Sequence, residues 1–365
     1  MKLWEDKIRK VVPYIPGEQP EGNHLIKLNT NENPYPPAPE VYEAWKTMDV
    51  DALRKYPDPT SKMLTEALAD YYQLEPDQIF VGVGSDDVLG MAFLTFFNSD
   101  RPILFPDISY SFYRVWADLY QIPYETPGLD ADFRLVLADY QKENGGVVIA
   151  NPNAPTGILL PLDQVEDILI HNRDVVVIVD EAYIDFGGQS ARSLLGRYEN
   201  LLVVQTFSKS RSMAGIRIGY AMGNPALIRA LNDVKYSYNS YTMNLPSLVL
   251  GTAAVKADRY FKETIQRIMK TREDAKIRLE TLGFHCLDSD TNFIFASPKN
   301  VSAKELFLAL REQQIYVRYF DLPRLNRYLR ISIGTEEEMA QLYAFLEQYL
   351  SRQAGGSGWK MENDI

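Results

Sequence analysis

Lys209 stands in the run Thr206-Phe-Ser-Lys209-Ser-Arg-Ser-Met-Ala-Gly-Ile-Arg217-Ile-Gly219, directly after the apolar stretch Leu201 to Val204. A strand that runs into small hydroxyl residues and then a lysine puts an amine at the strand's carboxyl end, where open α/β sheets hold their ligands. Further on, Arg217, between Gly215 and Gly219, supplies a fixed cation where backbones pass closely. An amine beside a phosphate grip points to pyridoxal phosphate.

Three other strand ends bring matching chemistry. Val175 to Val179 is an unbroken β-branched run that ends in Asp180-Glu181-Ala-Tyr183. Pyridoxal phosphate accepts electrons only while its ring nitrogen is protonated, so an aspartate beside that nitrogen is the partner the chemistry requires, and Asp180 fits. Tyr183 could donate its hydroxyl to the ring's phenolate oxygen. Ile79 to Val81 leads into Gly82-Val-Gly84-Ser85-Asp86-Asp87 and then the apolar segment Val88 to Phe97, which reads as a helix. A glycine turn opening a helix offers backbone N–H groups and a positive dipole end to an anion, so the cofactor phosphate could sit there with Ser85, Thr206, Ser208 and Arg217; a dinucleotide-binding turn is the rival reading. Val147 to Ala150 is followed by Asn151-Pro-Asn153-Ala-Pro-Thr156-Gly157, a rigid turn with amide side chains over the same edge. Near the end of the chain Arg318 and Arg330 each lie in or beside an apolar strand-like stretch, and two guanidinium forks can hold a dianion.

These motifs resemble those of the fold-type I, aspartate-aminotransferase-like pyridoxal phosphate enzymes and, within them, the histidinol-phosphate aminotransferases. The resemblance runs from Val12-Pro-Tyr14-Ile-Pro-Gly17 through Leu28-Asn-Thr-Asn31-Glu32-Asn33-Pro34, Arg54-Lys-Tyr56-Pro57-Asp58 and the strand-end motifs to Tyr328-Leu-Arg330-Ile-Ser-Ile-Gly334, nearly the whole chain. It implies an α/β fold with a large domain, built on a mainly parallel sheet with helices on both faces, and a small α+β domain. It implies that Lys209 carries the cofactor as a Schiff base and then shuttles the substrate proton, with Asp180 on the pyridine nitrogen and Tyr183 on the phenolate oxygen. Gly84, Ser85, Asp86, Thr206, Ser208 and Arg217 would hold the phosphate and Tyr110 would stack on the ring. Tyr56 would reach the cofactor phosphate of a second subunit, which implies a homodimer with shared sites. Tyr14, Arg318 and Arg330 would bind in turn the phosphate of histidinol phosphate and the carboxylate of glutamate, the amino group passing to 2-oxoglutarate in histidine biosynthesis. The chain departs from the family at Ala154, where an asparagine usually precedes Pro-Thr-Gly. Either Asn153 or Asn151 reaches the phenolate oxygen instead, or Tyr183 acts alone. Threonine-phosphate decarboxylases and aromatic amino acid aminotransferases share most of these motifs, and a non-catalytic cofactor binder or a nucleotide-binding protein using the Gly82 turn is the reading from another class.

The elements that position these residues follow from the patterning. Residues 1–35, rich in proline, glycine and asparagine, read as an extended arm packing with the small domain; strands then alternate with helical patterns, giving a large domain over 36–275. Ala254 to Leu282 reads as one long connecting helix, residues 276–352 as the small domain and 353–365 as a flexible tail. Composition agrees with a cytoplasmic, metal-free enzyme. A net charge of −11 disfavours a general nucleic-acid role, the single Cys286 permits no internal disulfide, and His24, His171 and His285 have no metal-ligand spacing. Neither a signal peptide nor a membrane-spanning run is found.

Overall fold

Buried strands divide their side chains between two cores, and that division fixes where the functional residues point. The computed structural model describes residues 2–22 and 24–356. After β1 (Ile26–Lys27) in the N-terminal arm come β2 (Ile79–Gly82), β3 (Ile103–Leu104), β4 (Tyr124–Glu125), β5 (Gly146–Ala150), β6 (Val177–Asp180), β7 (Leu201–Thr206) and β8 (Gly219–Gly223). The last seven form one sheet in the order β2-β8-β7-β6-β5-β3-β4, parallel throughout except for the two pairings of β8. Around it run α1 (Pro39–Thr47), α2 (Lys62–Tyr72), α3 (Ser85–Phe96), α4 (Phe112–Tyr120), α5 (Leu162–His171), α6 (Pro225–Tyr238) and α7 (Leu245–Lys256).

Successive strand residues face opposite sides. Val147, Val177, Leu201 and Val203 pack with Val41, Leu64, Leu169 and Leu248, from α1, α2, α5 and α7. Val148, Ile178, Leu202 and Val204 pack with Val88, Phe93, Trp116 and Leu231, from α3, α4 and α6. Both faces are therefore covered, which is why these strands read as unbroken apolar runs; each such side chain stabilises the fold by about 1.5–3 kcal/mol.

The second unit comprises α8 (Asp258–Thr281), β9 (Phe284–Cys286), β10 (Phe293–Pro298), α9 (Ala303–Glu312), β11 (Ile315–Tyr316), β12 (Arg318–Tyr319), β13 (Leu329–Ser332) and α10 (Glu336–Gly356). Its antiparallel sheet has the order β12-β13-β10-β9, while β11 pairs in parallel with β1 of the arm. The arm therefore joins this unit, with Ile26 and Leu28 buried in its core.

The single helix expected over Ala254 to Leu282 is two helices, broken at Ala257 (φ −83°, ψ 44°). No glycine or proline marks the break; Asp258 starts the second helix and takes a hydrogen bond from the Tyr71 hydroxyl at 2.9 Å. The boundary expected at 275/276 lies inside α8, whose Phe261, Ile265, Ile268 and Ala275 all pack in the second unit's core. Of the tail expected over 353–365, residues 353–356 belong to α10 and 357–365 lie outside the described residues. Among the described residues no helix is long and apolar enough to cross a membrane.

Candidate active site

Because β8 runs against its neighbours, its first residue meets their last ones: Gly219 pairs with Gly82 on one side and with Thr206 on the other. Arg217 thereby arrives at the same sheet edge as the glycine turn and Lys209. Its φ of 56° lies in the left-handed region, which costs a non-glycine residue about 1–2 kcal/mol. The guanidinium so aimed donates from Nη1 to Ser208 Oγ (3.2 Å) and from Nη2 to Asp86 Oδ2 (3.3 Å). Thr206 Oγ1 donates to Ser208 Oγ at 3.0 Å, and the Tyr110 hydroxyl donates to Asp86 Oδ1 at 2.7 Å. Gly84 opens α3 at φ 85°; a Cβ on it would sit 2.5 Å from Arg217 Nη2, and a Cβ on Gly219 would overlap the backbone of Gly84 and Ser85. Glycine at both positions lets the guanidinium and the first-turn N–H groups of α3 face one space, and that donor set fits a phosphate.

Asp180 continues the alternation of β6 onto the face covered by α4, where the Tyr113 hydroxyl donates to its Oδ2 at 2.7 Å. The backbone N–H of Ala182 donates to Oδ1 at 3.3 Å. At 5% exposure, burial lifts this carboxyl to about 6 against the downward pull of those two hydrogen bonds, with Asp86 adding to the rise. A cation placed beside it would restore its charge, which is what a protonated pyridine nitrogen supplies. Glu181 points to the opposite face and accepts hydrogen bonds from Ser190 Oγ (2.6 Å), the Ala191 N–H (2.7 Å) and Gln205 Nε2 (2.8 Å); burial lifts it to about 7.

A four-residue stretch of the arm, Thr30 to Asn33, touches Lys209 and Tyr183. The Lys209 amine donates to the Thr30 carbonyl at 3.0 Å and lies 5.7 Å from the Tyr183 ring centroid. Asn31 Nδ2 donates to the Tyr183 hydroxyl at 2.9 Å, and Asn33 Nδ2 donates to the Lys209 and Ser210 carbonyls, each at 3.1 Å. Nothing in the local pattern around Asn31, Asn33 or Tyr113 singles these residues out for the contacts they make.

Of the two asparagines that could replace the one missing at Ala154, Asn151 is spent on Leu160: its amide donates to that carbonyl (3.0 Å) and accepts from that N–H (2.8 Å). Asn153 holds the loop that carries Tyr110. Its Nδ2 donates to the Ile108 carbonyl (3.1 Å) and Thr156 Oγ1 (3.0 Å), and its Oδ1 accepts from Ser109 Oγ (2.9 Å).

Arg318 and Arg330 are register partners across β12 and β13. Arg330 Nη2 donates to the Asn29 carbonyl at 2.9 Å, while its Nε is sealed from solvent with no partner among the described residues. Burial first, and then the neighbouring Arg318, push this guanidinium below its ordinary value; Tyr14, Tyr110 and Tyr183 are the opposing groups that face it. Tyr14 stacks on Phe112 at 4.3 Å and lies 6.4 Å from Tyr110. Tyr56 stands apart, 83% exposed and 4.7 Å from the Tyr241 ring. Among the described residues no group of His, Cys, Asp and Glu could hold a metal ion.

A mainly parallel sheet with one reversed strand, an amine, a carboxylate and a guanidinium at one edge, and a smaller antiparallel unit facing them is the architecture of the fold-type I transferases. The family described as aminotransferase class I and II matches residues 23–346, and the chain belongs to it. It is 49% identical over 350 residues to the histidinol-phosphate aminotransferase of Clostridium beijerinckii, covering 96% of this chain and 98% of that protein. It is 51% identical over 352 residues to histidinol-phosphate aminotransferase 1 of Hydrogenovibrio crunogenus, covering 96% and 99%. Among solved structures, the histidinol-phosphate aminotransferase of Sinorhizobium meliloti in complex with pyridoxal-5'-phosphate is 26% identical, with a TM-score of 0.82 over 90% of this chain and 91% of that one.

Proposed function

We propose that this chain is a pyridoxal phosphate-dependent aminotransferase of histidine biosynthesis, a cytoplasmic homodimer that moves an amino group between histidinol phosphate and 2-oxoglutarate. The observation that carries the reading is the pairing of Arg318 with Arg330, whose sealed Nε has no partner among the described residues and which Tyr14, Tyr110 and Tyr183 face. Two neighbouring guanidinium groups favour an anion between them, and a carboxylate or a phosphate offers each fork a pair of oxygens for two parallel hydrogen bonds. The names of the half-identical relatives supply the substrate, histidinol phosphate.

In this reading Arg217, Ser208, Thr206 and the first turn of α3 at Gly84, Ser85 and Asp86 hold the cofactor phosphate, and Tyr110 stacks on the ring. Asp180 pairs with the ring nitrogen and Tyr183 faces the phenolate oxygen. Asn153 serves the ring by fixing the loop that presents Tyr110. Bound pyridoxal phosphate supplies an electron sink that acidifies the amine-bearing carbon of the substrate. Lys209 Nζ takes the proton from that carbon, and the same amine returns it on the other side of the transfer. Arg318 and Arg330 bind and orient the substrate anion, Tyr14 closes over it from the arm, and Tyr56 serves the neighbouring subunit's cofactor phosphate.

A half-reaction screen tests this. Histidinol phosphate and glutamate, each mixed alone with the holoenzyme, should bleach the cofactor's visible band. Bleaching by phenylalanine in place of histidinol phosphate, or carbon dioxide release from threonine phosphate, would reassign the substrate.

A further inference from the structure

The Tyr183 hydroxyl has one protein partner among the described residues, and that partner dictates what the hydroxyl can do. Asn31 Nδ2 donates to it at 2.9 Å, so the phenol oxygen is the acceptor there and its own hydrogen must point elsewhere. The direction of the Asn31 amide is itself fixed. The Asn31 backbone N–H donates to Ser332 Oγ (2.9 Å), which leaves the Ser332 hydroxyl hydrogen to be donated to Asn31 Oδ1 (2.9 Å). With Oδ1 so engaged, the NH2 end must face Tyr183. Asn292 Nδ2 donates to the Asn31 carbonyl at 2.9 Å, and both Asn31 and Ser332 are buried. The Tyr183 ring is held edge-on by Phe293 at 5.2 Å, which leaves the O–H direction as its free variable. The charged groups that face it are Lys209, 5.7 Å from the ring centroid, and Arg330.

We propose that Asn31 is a positioning residue that makes Tyr183 a one-way hydrogen-bond donor into the cleft, toward the phenolate oxygen of the bound cofactor. The inference rests on the placement of Tyr183 at that oxygen proposed above. It gives Ser332, on β13 of the second unit, a say in the cofactor's protonation: the order Asn31 N–H to Ser332 hydroxyl to Asn31 Oδ1 sets the donor, and the amide passes that polarity to the phenol.

The test is the pH at which the holoenzyme's visible band shifts, read in Tyr183→Phe, Asn31→Gly, Asn31→Asp and the double variant N31G/Y183F. Glycine accepts the φ of 56° that Asn31 adopts, so the backbone is not strained, and melting temperatures check folding. A hydrogen bond donated to the phenolate lowers the basicity of the cofactor, so losing it in Tyr183→Phe should raise the titration midpoint by about one pH unit. Asn31→Gly should move part of that way and Asn31→Asp, which turns the phenol hydrogen toward itself, at least as far. The double variant should move no further than Tyr183→Phe alone, because Asn31 acts only through that hydroxyl. An unshifted Asn31→Gly, or shifts that add in the double variant, would overturn the role of Asn31. An unshifted Tyr183→Phe would instead overturn the placement of Tyr183, and the proposal with it.

Discussion

Tyr113 and Asp180 form a buried hydroxyl–carboxyl pair at 2.7 Å, and the pair places the Asp180 carboxyl between two protonation states. Desolvation favours the neutral acid, the phenol and the Ala182 N–H favour the anion, and desolvation prevails, with a value of about 6. The phenol itself is pushed well above its ordinary value, by burial first and then by Asp180, so it stays a donor at every pH the protein survives.

The cofactor-free protein should lose stability as pH rises through the window from about 4 to about 6. Asp180's folded value lies above its unfolded one, so the folded chain retains a proton that the unfolded chain has already released. Asp180→Asn removes that dependence and should stabilise the cofactor-free protein at pH 7.5 by on the order of 1–3 kcal/mol, seen as a higher melting temperature. The same change should cost orders of magnitude in transamination rate. A variant that is neither stabilised without cofactor nor slowed with it would contradict both assignments.

Lys209→Ala should abolish transamination yet still bind pyridoxal phosphate, because Arg217, Ser208 and the start of α3 do not depend on the amine. Loss of the proton carrier should slow turnover by about 10²–10⁴-fold or more. Absorbance of the desalted variant reads cofactor retention, and wild-type turnover would remove the central residue of the mechanism.

Arg330→Ala should weaken histidinol phosphate and glutamate alike, by about 10- to 100-fold in kcat/KM, since each leaves an anion half-held. Arg318→Ala should penalise histidinol phosphate more, because a phosphate has oxygens for both forks while one fork satisfies a carboxylate. Equal losses in the two half-reactions would make Arg318 a general electrostatic residue.

Gly219→Ala should be more damaging than its size suggests. The added methyl would overlap the backbone of Gly84 and Ser85, and backbone cannot rotate away as a side chain can. Purified variant with low cofactor content and a lowered melting temperature is the expected result; full cofactor occupancy would show that the edge is looser than its geometry.

The four strand ends were legible because period-two burial and terminal residue type are both written locally: Val177 to Val179 alternates between cores, so Asp180 had to fall on the Ile178 side. The partners that complete each end were not. Asn31 and Tyr183 are 152 residues apart and Tyr113 and Asp180 are 67 apart, so their pairing depends on topology rather than on any local pattern. An aromatic cluster around Tyr113 reads as core, and most of it is, while the hydroxyls of Tyr110 and Tyr113 turn to the carboxylates of Asp86 and Asp180. The break at Ala257 went unseen because no breaker marks it, and Asp258 as an acidic helix start was its one local sign.

The reversed strand has a mechanical consequence. The lysine and the arginine both lie in the connection between β7 and β8, which is clasped at its mouth where Thr206 faces Gly219 and the Phe207 N–H donates to the Ile218 carbonyl at 3.0 Å. Amine and guanidinium are therefore borne by one closed connection and not by two loops that drift separately, so the hairpin works as a clasp that keeps the pair together. Lengthening or shortening the stretch 210–216 between them would move amine and guanidinium relative to each other while both side chains remain, and so change which molecule fits.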